Sequence, residues 1–268
     1  MHPPSHSPPA SPTAATLQLS AGAHTDVGAV RSENQDAMGV LPDRALGGGG
    51  VQGQTVPQPA VFVVADGMGG HEAGAEASEV ATEAVLGSFG AGFKRERDLP
   101  ALMRRAVTAA NDAVWARANA GGHYRRMGTT CTVLLVSDGM AHLGHVGDSR
   151  AYRIRAGRVE QLSTDHTMGE AARHEPALAE IAKSRSHHLT RAVGVQAEIE
   201  VDALFVGAVA PDDRFVLCSD GLAPVPLDEL LRAVHTYGPQ QAAEWLVALA
   251  SARGSRDNAT AVVVHVLP

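Results

Sequence analysis

An α+β fold is predicted, and three observations carry that prediction. Apolar runs of strand length come in pairs joined by short turns. Helical periodicity is confined to two blocks, around 74–119 and 227–252. Strands and helices do not alternate as the βαβ units of a parallel sheet would require.

The elements follow in chain order. Residues 1 to 17 are rich in Pro, Ser and His without periodicity and are expected to form a disordered tail. Gln18 to Val40 reads as a pair of short strands around a turn, and 44–59, with Gly47 to Gly50, as a mobile hairpin loop. Val61 to Ala65 is apolar at every position, the mark of a strand buried on both faces. Gly74 to Phe89 pairs Val80 with Ala84 and Ala81 with Val85 at helical spacing, and Leu99 to Asn119 repeats the pattern. Thr130 to Val136 and Met140 to Val146 form a hairpin across Asp138-Gly139, and a second hairpin turns at Ala156-Gly157. Residues 165 to 190 read as a partly helical surface flap. Ile199 to Val206, Arg214 to Cys218 and Ala259 to Val266 are strands, and Leu227 to Ala252 is mainly helix.

Composition narrows the function. The net charge of −7 argues against nucleic acid as a partner. No apolar run approaches the roughly 20 residues of a membrane span, and no signal peptide is visible, so a cytoplasmic protein is expected. Cys131 and Cys218 each lie inside an apolar run, as reduced core thiols would. Lys94 and Lys183 are the sole lysines, and neither a Gly-Lys-Ser/Thr loop nor a kinase strand lysine is present. The thirteen histidines do not suggest zinc: His71-Glu72 would need a histidine where Ala75 stands, and His142 and His145 point to opposite faces of a strand.

Two segments share a design that carries chemistry. Val61 to Gly67 and Phe215 to Gly221 each run an apolar strand into Asp-Gly, at Asp66-Gly67 and Asp220-Gly221. Asp-Gly is a common turn pair. Here no strand returns at once, so the carboxylate is held at a rigid strand end and the glycine lets its carbonyl approach a ligand. Asp36 and Asp257 stand at two further strand ends, with Arg31 near the first. Oxygen ligands of this kind suit Mg²⁺ or Mn²⁺.

The motifs in order are Thr25-Asp26-Val27-Gly28 with Arg31 and Asn34-Gln35-Asp36; Ala65-Asp66-Gly67-Met68-Gly69-Gly70-His71; Gly128-Thr129-Thr130; Val146-Gly147-Asp148-Ser149-Arg150; Asp165-His166; Leu189 to Gly194; Cys218-Ser219-Asp220-Gly221; and Arg256-Asp257-Asn258. In this set, over roughly residues 20 to 266, the chain resembles the metal-dependent serine/threonine protein phosphatases of type 2C in their compact bacterial form. The resemblance implies a single catalytic domain over 18–268, built as two antiparallel sheets flanked by helices on both sides. It implies that Asp66 bridges two metals with the Gly67 carbonyl on one of them, and that Asp220 and Asp257 complete the other. Asp36 stands beside the site, and Asp148 resembles the acid that holds a third, weaker metal. Arg31 resembles the residue that grips the substrate phosphate, a task suited to its bidentate fork.

The implied reaction is attack of a metal-bridging hydroxide on phosphoserine or phosphothreonine, with Mn²⁺ or Mg²⁺ as cofactor. The implied partners are phosphoproteins, a Ser/Thr kinase and its targets, without membrane or nucleic acid, and the protein is expected to be a monomer. A narrower expectation is a kinase that regulates a secretion system. Two departures from the family stand out. Met68 replaces a histidine found in eukaryotic members, leaving His71 either as a candidate to protonate the leaving group or as a helix cap. Gln35 stands where a glutamate often occurs. The competing readings are a phosphoprotein-binding module without turnover and a hydrolase of small phosphoesters.

Overall fold

Every strand at the centre of this protein is covered on both faces, which is why its apolar runs show so little alternation. The computed structural model describes residues 17–42, 54–69, 72–90, 96–120 and 127–267. The expectations for 1–16, the 43–53 part of the loop, His71 and Lys94 lie outside the described residues. One six-stranded sheet runs β3 (Gln54–Val56), β1 (Leu19–Asp26), β12 (Ala259–Val266), β11 (Arg214–Cys218), β8 (Arg150–Arg155), β9 (Arg158–Gln161). The other runs β10 (Asp202–Ala208), β7 (Met140–Val146), β6 (Cys131–Ser137), β4 (Ala60–Met68), β2 (Asp36–Leu41), with β5 (Gly128–Thr129) added to the end of β4. The pairings are antiparallel.

Three cores stack between four layers. Phe62, Val64, Leu134 and Leu143 of one sheet meet Leu19, Phe215, Leu217 and Val262 of the other. The alternate residues Val61, Val63, Val133 and Leu135 pack under α1 (Glu72–Ser88) and α2 (Leu99–Asn119). On the opposite side Val216, Cys218, Ala261 and Val263 pack under α5 (Leu227–Thr236) and α6 (Pro239–Ala252). This is the expected helix–sheet–sheet–helix arrangement. Both cysteines are free and buried, and burial pushes their thiols up to about 12, which leaves them inert at neutral pH.

Two expectations needed correction, and two others hold with added detail. The first two strands are not a pair: β1 and β2 belong to opposite sheets, with β1 bonded to β12 and β2 to β4. The connection from β2 to β4 is the hairpin link expected, but it also supplies β3 to the other sheet. The helical block at 227–252 is two helices, because Gly238-Pro239 interrupts the hydrogen-bond ladder and Pro239 starts the second helix. The strand expected at 199–206 begins later, at Asp202, and runs to Ala208.

The flap carries α3 (Met168–His174), a short 3₁₀ turn and α4 (Ala179–Arg185). Its two ends are tied together: the Met168 amide donates to the His188 carbonyl at 2.9 Å, and the Thr190 amide to the His166 carbonyl at 2.8 Å.

Candidate metal centre

In an antiparallel sandwich, strands leaving one end alternate with strands entering it, so distant segments meet there. β4 leaves at Asp66 and β2 enters at Asp36, and these two are a register pair. β11 leads out to Asp220, Asp257 precedes β12, and Asp148 lies in the turn from β7 to β8. An open cleft of about 1140 Å³ is lined by Arg31, Asp66, Gly67, Asp148, Asp220 and Asp257, with the flap residues His187 to Arg191 opposite. Asp36 sits behind that wall.

Hydrogen bonds fix the backbone at Asp66 and the loop that carries Arg31. The Asp66 amide donates to Thr130 Oγ1 at 2.8 Å. The Asp66 carbonyl accepts from the Thr130 amide at 2.8 Å and from Thr129 Oγ1 at 2.9 Å. Thr130 Oγ1 lies 2.7 Å from Ser149 Oγ, so a buried hydroxyl pair joins the Asp66 and Asp148 segments. A side chain at Gly67 would place Cβ 2.0 Å from the Gly74 carbonyl oxygen and 2.7 Å from that of Gln35, so helix α1 approaches the strand end as closely as a backbone can. Asn258 secures the loop that carries Arg31: its Oδ1 accepts from the Gln35 amide at 2.9 Å, and its Nδ2 donates to the Val27 and Glu33 carbonyls at 2.9 and 2.8 Å.

Behind the cleft a directed chain of donors ends on Asp36. Asn34 Nδ2 donates to Thr25 Oγ1 at 2.8 Å, Thr25 Oγ1 lies 2.7 Å from Thr260 Oγ1, and Thr260 Oγ1 donates to Asp36 Oδ2 at 2.6 Å. Ser219 Oγ donates to the same oxygen at 2.7 Å. Asp36 Oδ1, also buried, has no hydrogen-bond partner among the described residues.

The electrostatics ask for a cation. Burial, then the Coulomb repulsion of Asp36, Asp220, Asp148 and Asp257, raises Asp66 well above the usual carboxylate range. Burial raises Asp36 to about 6, partly offset by the Thr260 and Ser219 hydroxyls. Burial and the Asp220 charge raise Asp148 to about 7, and burial with Asp257 raises Asp220. Two carboxylates about 4 Å apart repel by roughly 4 kcal/mol at an effective dielectric near 20, so gathering five is unfavourable until positive charge is added.

Arg31 supplies part of that charge, with Nη2 2.5 Å from Asp257 Oδ2. Among the described residues no group of three or more His, Cys, Asp or Glu side chains is drawn together tightly enough to hold a metal ion by itself. The residues nevertheless fit divalent cations: the donors are hard oxygens, Asp36 Oδ1 is an orphan, and the Gly67 carbonyl and water can complete a coordination shell.

The structure thus brings together Arg31, Asp66, Gly67, Asp148, Asp220 and Asp257, with Asp36 just behind. Sequence reading gave no role to Thr25, Thr130, Ser149, Ser219, Asn258 or Thr260, which hold them. All of them except Thr260 stand inside the motifs given above, and Thr260 is a buried hydroxyl near the start of the apolar Ala259 to Val266 run.

The sequence profile described as Protein phosphatase 2C matches residues 34–261. The serine/threonine phosphatase stp of Listeria monocytogenes is 31% identical over 254 residues, covering 90% of this chain and 93% of the relative. Serine/threonine protein phosphatase PstP of Mycobacterium tuberculosis is 32% identical over 94% of this chain, which spans 46% of that relative's length. The crystal structure of the M. tuberculosis enzyme superposes with a TM-score of 0.79 at 31% identity, covering 94% of this chain and 100% of that one. A PstP catalytic domain solved with two manganese ions gives 0.74 at 31% identity, with the same coverage. PppA, a key regulatory component of T6SS in Pseudomonas aeruginosa, gives 0.73 at 30% identity, covering 93% and 98%. The fold, the acidic cleft and these matches agree that the chain belongs to the protein phosphatase 2C family.

Proposed function

We propose that this chain removes phosphate from phosphoserine and phosphothreonine in proteins, with Mn²⁺ or Mg²⁺ held at the acidic end of the sandwich. The observation that carries the reading is the convergence of Asp66, Asp148, Asp220 and Asp257 with Arg31 in one open cleft. Bound there, two divalent cations would supply an acidified water and the positive charge that phosphoryl transfer requires.

Asp66, at the rigid end of β4, and the Gly67 carbonyl would hold cations from one side, and Asp220 and Asp257 from the other. Asp36 would act from behind, directly or through water, and Asp148 would take a third, weaker cation. Arg31 exchanges Asp257 for the substrate phosphate, presenting its fork to two phosphate oxygens. The openness of the cleft favours a phosphorylated segment of a protein over a small molecule that needs enclosure. The Stp and PstP relatives, both serine/threonine phosphatases by name, support phosphorylated proteins as substrates, and the Ser/Thr kinase that makes those substrates would be the opposed partner. The likeness to PppA supports the narrower expectation of a secretion-system kinase, which unchanged kinase phosphorylation in a strain lacking this chain would sink.

The test is phosphate release from a phosphothreonine peptide in Mn²⁺, Mg²⁺ and EDTA, beside Asp220→Asn. Release should require metal and fall at least about 100-fold with the substitution, since removing even an outer partner of a ligand costs about 10–100-fold. Folded protein that releases no phosphate with either metal would overturn the reading.

A further inference from the structure

The turn that carries Asp148 is gripped at both ends by one dipeptide, Asp165-His166. On its far side Arg150 forks onto Asp165, with Nε 3.1 and 3.0 Å from the two carboxylate oxygens and Nη2 2.6 Å from Oδ2. On its near side His166 meets Gly147 twice. The His166 amide donates to the Gly147 carbonyl at 2.8 Å, and the Gly147 amide donates to His166 Nδ1 at 3.0 Å. Gly147 has φ +113, and a Cβ there would lie 2.6 Å from Thr130 Cβ, so only glycine lets the turn lie this close to Thr130.

Because Nδ1 accepts a proton donor, the ring hydrogen belongs on Nε2. Nε2 faces Asp202 Oδ2 at 3.1 Å, and Asp202 Oδ1 accepts from Arg191 Nη1 at 2.7 Å. The imidazole is almost completely buried, whereas the Arg191 and Asp202 side chains are 29% and 28% exposed. Arg191 lines the cleft.

We propose that His166 is a positioning residue for Asp148, wired through Asp202 to Arg191 in the cleft wall. The carboxylate of Asp202 fixes the tautomer and tilt of His166, and His166 fixes the Gly147 amide and with it the direction in which Asp148 leaves the turn. Arg191 completes the line, so an anionic group of the substrate that draws on Arg191 acts on the placement of Asp148. Outer partners of this kind typically change metal affinity or activity by 10–100-fold when removed. The inference rests on the role given above to Asp148.

The experiment is calorimetric titration with MnCl₂, paired with kcat and KM on a phosphothreonine peptide. Asp148→Asn identifies which Mn²⁺ event belongs to that residue. His166→Gln can still reach Asp202 but offers Gly147 no acceptor at the right place, and it should weaken that event and kcat by at least about 10-fold with peptide KM unchanged. His166→Asn keeps an acceptor near the Nδ1 position and should recover part of the loss. Arg191→Met should show a smaller loss, Arg191→Lys should restore it, and the Arg191→Met/His166→Gln pair should lose no more than His166→Gln alone.

Full additivity in that pair, or an isotherm untouched by both Asp202→Asn and His166→Gln, overturns the inference. So does a wild-type isotherm with no event removed by Asp148→Asn. Should His166 variants fail to fold, the part-exposed Arg191 and Asp202 variants decide the matter on the same readings. The isotherm requires no turnover, so loss of the phosphatase reading and loss of this one are separable.

Discussion

Replacing Asp148 by asparagine should stabilise the metal-free protein, although it removes a carboxylate from the cleft. Burial and the Asp220 charge raise this carboxyl from an ordinary 3.8 to about 7. At 1.36 kcal/mol per pH unit, that gap corresponds to ~4 kcal/mol of strain in the folded, ionised form. Relaxation and water entry reduce it, so about 2 kcal/mol is expected from the substitution, or roughly 4–8 °C in Tm. The sign follows from linkage. A carboxyl raised on folding leaves stability intact below the unfolded value, where both states are protonated. Stability is then lost as pH climbs from about 4 to 7, and the loss is complete above that. Thermal melts in EDTA should therefore show Asp148→Asn more stable than wild type at pH 8, with most of the difference gone by pH 4.5. With saturating Mn²⁺ the order should reverse, because only wild type keeps the ligand. A variant less stable than wild type at pH 8 in EDTA, or equally stabilised at every pH, would refute the reasoning.

Other perturbations test the scaffold around that site. Gly67→Ala forces Cβ against two backbone carbonyls and should cost about 3 kcal/mol, read as a drop in Tm of roughly 6–12 °C. Arg31→Ala should leave the melting curve within about 1 kcal/mol of wild type, since its partner Asp257 is solvent-screened, while raising peptide KM about 10-fold or more. Thr130→Val keeps the shape but leaves the Asp66 amide without its acceptor; about 1–3 kcal/mol should be lost in urea denaturation, with a lower kcat at saturating Mn²⁺.

What could be read from sequence was what is local. Both hairpins at 137–140 and 155–158 were visible because turn and strands are contiguous, and Asp138 and Gly139 indeed take positive φ. α1 and α2 announced themselves by periodicity, and Asp66 and Asp220 by the glycine after an apolar run. The partnership of β1 with β12 was invisible, because nothing in either strand's residues records which distant strand it will bond. The same holds for the site's supports. Asp202 lies outside every motif, yet it faces His166; Gln240, at the start of α6, donates to and accepts from the backbone of Ala23 on β1 at 3.1 Å. Such contacts depend on the assembled layers and leave no spacing to detect.

The place of β12 has a consequence for how the molecule is made. It is the last element of the described residues to emerge, yet it lies between β1 and β11 and is preceded at once by Asp257 and the Asn258 clamp on the Arg31 loop. A nascent chain can therefore stack α1 and α2 on β4, β6 and β7 early, but it cannot close the first sheet until that strand leaves the ribosome. Partial products that stop short of β12 would leave one edge of β1 open and lack Asp257, so the acidic cleft should be completed in a single step once β12 has emerged.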